Sequence, residues 1–212
     1  MLFVTFEGID ACGKTTQIDK LYEKLCGEGY EVIVTKQPGG SKIGQQIRKI
    51  LLDPENKELV SNAELLLYMA DRVQHIQEII LPALAQNKIV LCDRYHDATV
   101  AYQGAGRQLD LTWLATLERD VVRTPDLTFW FDLSLEESQR RLQHRNRTQG
   151  LENCRIEREK SDFFERVVRG YRELYQKNPE RMQRIDAEGD IASIHQKVVN
   201  ILMRRLNSSA TG

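Results

Sequence analysis

The stretch that decides the fold is Leu2-Phe3-Val4-Thr5-Phe6 followed, after Glu7, by Gly8-Ile9-Asp10-Ala11-Cys12-Gly13-Lys14-Thr15. An apolar, β-prone run that turns through G-x-x-x-x-G-K-[ST] into an amphipathic segment reads as strand, phosphate-binding loop and helix. The spacing has a mechanical reason. Backbone N–H groups from Gly8 through Thr15 must curl around phosphate oxygens, so glycines stand where a Cβ would obstruct the nest. Lys14 then reaches the terminal phosphates of a nucleoside triphosphate, the Thr15 hydroxyl can join a Mg²⁺ shell, and Ile9, Asp10, Ala11, Cys12, Gly13 and Thr16 complete the cradle at a helix N-terminus.

Outward from this loop, short β-branched or aromatic runs alternate with longer helical patterns, which predicts β-α units in a parallel sheet. Five strands are expected, at Leu2–Phe6, Glu31–Thr35, Ile89–Asp93, Leu127–Asp132 and Met182–Asp186. The first, third and fourth are nearly continuously apolar, as strands covered on both faces must be, and should be central. Ile18, Leu21, Tyr22 and Leu25 mark a first helix that stops near Gly27 and Gly29. Further helices are expected at about 62–84, 111–123, 135–145, 159–177 and 191–206, and the N-S-S-A-T-G tail should fray. The fold class is α/β: a P-loop NTPase-like, five-stranded parallel sheet flanked by helices.

The 212 residues carry 30 Lys plus Arg against 31 Asp plus Glu, a net charge of −1. That balance argues against a nucleic-acid coat or a polybasic membrane binder, so any charge that matters is local. With 41% hydrophobic residues and no linker or repeat, a single domain over 1–212 is expected. Four scattered cysteines without a C-x-x-C pair suit a reduced cytoplasmic chain, and no apolar stretch approaches the ~20 residues of a membrane span.

Strand three ends in Cys92-Asp93-Arg94, which puts Asp93 at the carboxyl edge of the sheet, able to hold Mg²⁺ directly or through water. Arg94 suits a second phosphate facing the triphosphate. Between Arg140 and Arg172 stand ten Lys or Arg and five Asp or Glu, a local +5, around a flexible polar stretch. Two anionic phosphates repel, so phosphoryl transfer between them requires cations and a water-excluding cover. The segment at about 144–160 reads as that mobile lid, with Arg145, Arg147, Arg155 and Arg158 as its working charges; Arg140, Arg166, Arg169 and Arg172 read better as a solvated helix surface. A GTPase would need N-K-x-D, whereas Asn56-Lys57 and Asn87-Lys88 are followed by Glu58-Leu59 and Ile89-Val90.

With these residues the chain resembles the thymidylate kinase family, of the bacterial kind, over nearly its whole length. The resemblance rests on the phosphate loop, P-G-G at Pro38–Gly40, L-L-L-Y-M-A-D-R, D-R-Y-x-x-A-T-x-A-Y-Q-G-A-G-R, C-R-I-E with D-F-F-E-R-V, and R-I-D-A. It implies transfer of the ATP γ-phosphate to dTMP with Mg²⁺, usually in a homodimer. By position it implies that Tyr68 stacks on thymine, Arg72 bonds the base carbonyl, Thr99 and Gln103 contact the base, and Tyr102 lies against the sugar. Asp10 falls at the sugar 3′-OH, Arg48 and Arg94 at the dTMP phosphate, and Pro38 in the acceptor turn. No arginine occupies the loop, so Arg155 of the lid is expected as the catalytic cation beside Lys14 and Arg94. Arg141 or Arg145 is expected against adenine, which Ala187 would border. The turn departs from the usual R-E-P-G-G, reading Lys36-Gln37-Pro38-Gly39-Gly40 and so lacking an acid near the acceptor. Cys154 stands where aspartate is usual, in a lid some three residues longer than expected. Cys12, beside Lys14 at a helix N-terminus, is expected as a candidate reactive thiol. Two alternatives stand: a P-loop kinase for another nucleoside monophosphate or deoxynucleoside, and a nucleotide-binding switch or ATPase.

Overall fold

The computed structural model describes residues 2–210. Its sheet is fully parallel, with β1 (Phe3–Glu7), β2 (Val32–Lys36), β3 (Ile89–Asp93), β4 (Leu127–Asp132) and β5 (Met182–Asp186) in the order β2-β3-β1-β4-β5. The three apolar runs are the central strands. All five residues of β1 are buried, whereas edge strands β2 and β5 are only partly covered. The chain runs from β1 out to β2, returns through β3, and then crosses back over β1 to β4. The loop after β1 therefore lies at the reversal of strand order, on the carboxyl edge where open α/β sheets bind ligands.

Alternation along β1 separates two cores. Val4 and Phe6 join Ile18, Leu21 and Leu25 of α1 (Lys14–Gly27) on one face. On the other, Phe3 packs with Ile76, Ile80, Val90 and Cys92. Each such side chain contributes about 1.5–3 kcal/mol by leaving water, so the loop between them rests on a rigid base. Thr5 and Glu7, on the Phe3 face, are buried polar groups; Thr5 Oγ1 pairs with Thr128 Oγ1 at 2.8 Å.

Several boundaries differ from the sequence expectation. Helix α2 (Lys42–Leu52) is not among the expected elements, although Ser41 caps it by accepting from the Gly44 N–H at 2.9 Å and Ile43, Ile47, Ile50 and Leu51 recur at helical spacing. The stretch expected as one helix is α3 (Ser61–His75), a π-turn (Ile76–Ile80) and α4 (Leu81–Ala85). Pro82, which has no N–H to give the helical ladder, accounts for the local widening. A second π-turn (Val100–Gly106) extends α5 (His96–Thr99) and carries Tyr102 and Gln103. Helix α6 (Leu111–Glu118) is shorter than expected; α7 (Leu135–Gln149) is longer and ends at Gly150 in the left-handed region, φ 63°. Helix α8 (Ser161–Lys177) follows, and α9 (Ile191–Ala210) runs through most of the tail expected to fray; Thr211 and Gly212 lie outside the described residues. Among the described residues no helix is long and apolar enough to cross a membrane.

Candidate active site

The loop closes as its composition requires. Gly13 caps α1 with φ 95°, and Gly8 has φ 136°; a Cβ on Gly8 would stand 2.5 Å from the Phe131 carbonyl oxygen. Lys14 is folded back over the loop, its Nζ donating to the carbonyls of Ile9 (2.9 Å) and Gly8 (3.2 Å) and to Cys12 Sγ (3.4 Å). These are neutral acceptors, which an incoming phosphate outcompetes for an ammonium.

Arg94 leaves the end of β3 with φ 65°, a left-handed conformation uncommon outside glycine. The turn is held from both sides. Its own N–H donates to the Phe6 carbonyl at 3.0 Å, and the next N–H, that of Tyr95, donates to Glu7 Oε1 at 2.7 Å. The guanidinium is thereby aimed at the loop, donating to the Gly8 carbonyl (2.6 Å) and Asp10 Oδ1 (2.7 Å) and lying 5.1 Å over the Tyr102 ring. Burial pushes the Asp10 carboxyl up, but the charges of Arg94 and Lys14, with Arg145 beyond them, outweigh it and leave the group below the usual carboxylate range. Glu7 is different. Burial, reinforced by the charge of Asp97, lifts its carboxyl to about 7, against a smaller opposing pull from Arg94.

A cavity of about 700 Å³ opens along this edge of the sheet. Asp10, Ala11, Cys12, Gly13, Lys14, Thr15, Thr16 and Asp93 form one end of its wall, and Pro38, Arg48, Tyr68, Arg72, Thr99, Tyr102 and Gln103 the other, with Arg94 between. Arg141 and Arg145 enter from α7. Gly8 and Ile9 do not line it; they contribute the carbonyls that hold Lys14. Sequence reasoning did not anticipate Tyr95, Leu52, Ile156 or Glu157 in the wall. Their signal is weak, because they arrive there by packing and belong to no phosphate-binding motif.

Arg155 is elsewhere. Expected to face the transferring phosphate, its side chain is only 9% exposed and absent from the cavity wall, donating to Glu64 Oε2 (2.6 Å) and the Leu51 carbonyl (2.9 Å). Its partner is Glu64, a fully buried carboxylate on α3. It also accepts from Arg107 (3.1 and 3.2 Å) and from Gln103 Nε2 (2.8 Å). Burial raises the Glu64 carboxyl, but those hydrogen bonds and the charges of Arg107 and Arg155 prevail, leaving it below its ordinary value. The other lid cations are spread out: Arg158 pairs with Glu152 at 3.3 Å, and Arg147 is exposed. Cys12 is only 2% exposed, although it lines the cavity.

A second pocket of about 320 Å³ shares Ala11, Cys12, Gly13, Thr16 and Arg141 with the first and continues to Gly189, Asp190 and Ile191. Ala187, expected to border adenine through its backbone, is buried in the core, two residues before the stretch Gly189–Ile191 that lines this pocket. For a divalent ion, Thr15 Oγ1 donates to Asp93 Oδ2 at 2.9 Å. Two hard oxygen donors at the loop fit Mg²⁺, which keeps several waters and relies on substrate phosphates; no group of three His, Cys, Asp or Glu able to hold a metal occurs among the described residues.

The family model for thymidylate kinase matches residues 6–198. Curated relatives named thymidylate kinase include one from Citrifermentans bemidjiense, 46% identical over 97% of this chain and 93% of its own length. Another, from Exiguobacterium sp., is 42% identical over 97% and 95%. The crystal structure of thymidylate kinase from Ehrlichia chaffeensis superposes with a TM-score of 0.75 at 35% identity, covering 95% of this chain and 98% of that one. Matches of this identity along almost the whole length place the chain in the thymidylate kinase family.

Proposed function

We propose that this chain transfers the γ-phosphoryl group of ATP to the phosphate of dTMP, giving ADP and dTDP. One observation carries the reading: a single cavity joins the phosphate loop to a pocket that offers an aromatic ring, Tyr68, and a buried guanidinium, Arg72, with Arg94 midway. Aromatic face and cationic donor suit a pyrimidine carrying a carbonyl. Lys14 swings from its carbonyls to the β- and γ-phosphates. Arg94, with Arg48, binds the acceptor phosphate, while Asp10 keeps Arg94 in register and faces the sugar. Thr15 and Asp93 would hold Mg²⁺, which when bound neutralises charge on the phosphates. A bond forms from an acceptor phosphate oxygen to the γ-phosphorus as the bond to the β–γ bridging oxygen breaks. The acceptor is already anionic, so positioning and charge suffice and no strong base is needed.

The chain acts as one domain over 1–212, and the segment at about 144–160 moves as a lid, bringing Arg145 against the donor phosphates and Arg141 against adenine. Arg155 takes part through Glu64, to which it donates. Ile43 and Ile50 of α2 with Leu66 and Val73 of α3 leave an apolar stripe exposed, suited to burial in a homodimer. The test is ADP release with ATP and, in parallel, dTMP, dUMP, dCMP and dGMP. Turnover with dTMP well above the rest supports the reading. Preference for another acceptor points to a different monophosphate kinase, and slow hydrolysis indifferent to dTMP to a nucleotide switch.

A further inference from the structure

The acceptor turn lacks the acid of R-E-P-G-G, yet a carboxylate stands within hydrogen-bonding distance of that position. Asp71, fully buried on α3, reaches the turn from the side: its Oδ1 accepts from the Gly39 N–H at 2.9 Å and its Oδ2 from Gln37 Nε2 at 3.2 Å. The far end of the same amide faces Arg72, whose Nε donates to Gln37 Oε1 at 3.1 Å. A glutamine has one donating and one accepting end, and here a carboxylate and a guanidinium fix which is which. A glutamate in its place would set a second carboxylate oxygen about 3 Å from Asp71, two like charges in a dry site. An alanine there would leave both neighbours short of a partner. Residues 37 and 71 are thus a matched pair.

Asp71 also demands room. A Cβ on Gly44 would come within 2.3 Å of Asp71 Oδ1, so a glycine stands in the first turn of α2 where it costs helix stability. Gln37 and Gly44 both answer to one carboxylate. What that carboxylate holds is the acceptor end of the cavity. The turn presents Pro38 to the cavity, and the Pro38 carbonyl accepts from Arg48 Nη1 at 2.8 Å. Arg72 is held from several sides: besides Gln37, it donates to Glu118 (2.8 Å), Met69 Sδ (3.3 Å), Thr99 and the Tyr95 carbonyl (3.4 Å).

We propose that Asp71 is a positioning residue of the acceptor site, acting through Gln37 on Arg72 and through the Gly39 N–H on the turn that carries Pro38. This rests on the reading of the cavity as a dTMP site. The cycle of Gln37→Glu, Asp71→Asn and the exchange of both tests it, with kcat, separate KM values for dTMP and ATP, and melting temperature measured throughout. Gln37→Glu brings two carboxylates together, and Asp71→Asn sets two amides donor to donor. Each raises KM for dTMP by ~10-fold or more, with KM for ATP nearly unmoved and melting lowered by several degrees, on the order of the couplings seen between contacting buried groups. In the double variant the amide now on α3 donates to the carboxylate now in the turn, which pairs with Arg72 directly, and KM and melting temperature return to within ~3-fold and ~2 °C of the parent. A double variant as impaired as the sum of the singles, or one that fails to fold where the singles fold, overturns the proposal. If the parent itself does not phosphorylate dTMP, the melting temperatures alone still decide the pairing, and the failure belongs to the assigned function.

Discussion

Glu64 joins the 144–160 segment, through Arg155, to Gln103 in the cavity wall, and Glu64→Gln measures that link. One carboxylate accepts from Arg155, Arg107 and Gln103, and all three donors come from parts of the chain distant in sequence. The amide keeps the shape but offers one acceptor where there were two, and turns its NH₂ toward a donor. It also strips the anion from between two guanidiniums whose side chains are 9% and 14% exposed. Breaking a buried pair by neutralising one partner costs about 3–5 kcal/mol. Arg107 retains Glu159 at 2.6 Å, so the low end, ~3 kcal/mol, applies. At about 2–4 °C per kcal/mol for a chain this long, melting should fall by ~6–12 °C.

The assay is thermal unfolding by circular dichroism with steady-state kinetics on the same preparations. KM for dTMP should rise, because Gln103 loses its anchor, while kcat falls less. Arg155→Ala belongs beside it. If Arg155 acts as Glu64's partner, melting falls and KM for dTMP moves with it; if it touched the transferring phosphoryl, kcat would collapse with melting unchanged. A Glu64→Gln protein melting within ~2 °C of the parent with unaltered KM would refute the link.

Lys14→Ala should lower kcat by ~10²-fold or more while leaving melting nearly unchanged, since the lysine binds only loop carbonyls and a sulfur; single-turnover phosphoryl transfer reads this directly. Glu7 sets a pH dependence. Its folded value of about 7 lies above the ordinary 4.5, so the folded state holds the extra proton between those values and stability falls by about 3 kcal/mol as pH rises from 4.5 to 7. Urea midpoints across that range should show the slope, and Glu7→Gln should flatten it; an unchanged slope would clear Glu7. Asp10 and Glu64, held below their ordinary values, act the other way and withdraw stability only as pH falls through the acid range. Finally, iodoacetamide should label exposed Cys26 before Cys12, and Cys12→Ser should leave the fast-labelling stoichiometry intact, as mass spectrometry would show.

What is legible in the sequence is what periodicity and local sterics control. Continuous apolar runs mark β1, β3 and β4 as central because only strands covered on both faces can be wholly apolar. The loop declares itself through glycines needed for positive φ. Helix α2 escapes the apolar count, although Ser41 and its isoleucines announce it, because Gly44 and two glutamines break the pattern; Gly44 is explained only by Asp71, 27 positions away. The second π-turn has no local signature either. The pairing of Arg155 with Glu64 is hidden from the sequence for the same kind of cause. Its neighbours along the chain make it a lid residue, but its partner lies 91 positions earlier, and no window of sequence contains both.

The +5 counted between residues 140 and 172 shows what such a window leaves out. Folded, Arg140 and Arg141 both pair with Glu137, just outside the window, Arg145 with Glu157, Arg155 with Glu64, Arg158 with Glu152 and Arg166 with Asp162. A guanidinium that already holds a carboxylate gains little from a phosphate unless it gives up that partner. The cations poised for ligand are those resting on neutral oxygen. Lys14 on the carbonyls of Gly8 and Ile9, and Arg48 on that of Pro38, exchange a dipole for an anion when phosphate arrives. Both line the cavity, one from the start of α1 and one from α2. Arg94 lies between them, donating to the Gly8 carbonyl, the Tyr171 hydroxyl and Asp10, so that the carboxylate aims it while its other acceptors are neutral oxygens. On the proposed reading, the cations already resting on neutral oxygen are these three, and none of them falls inside the basic segment.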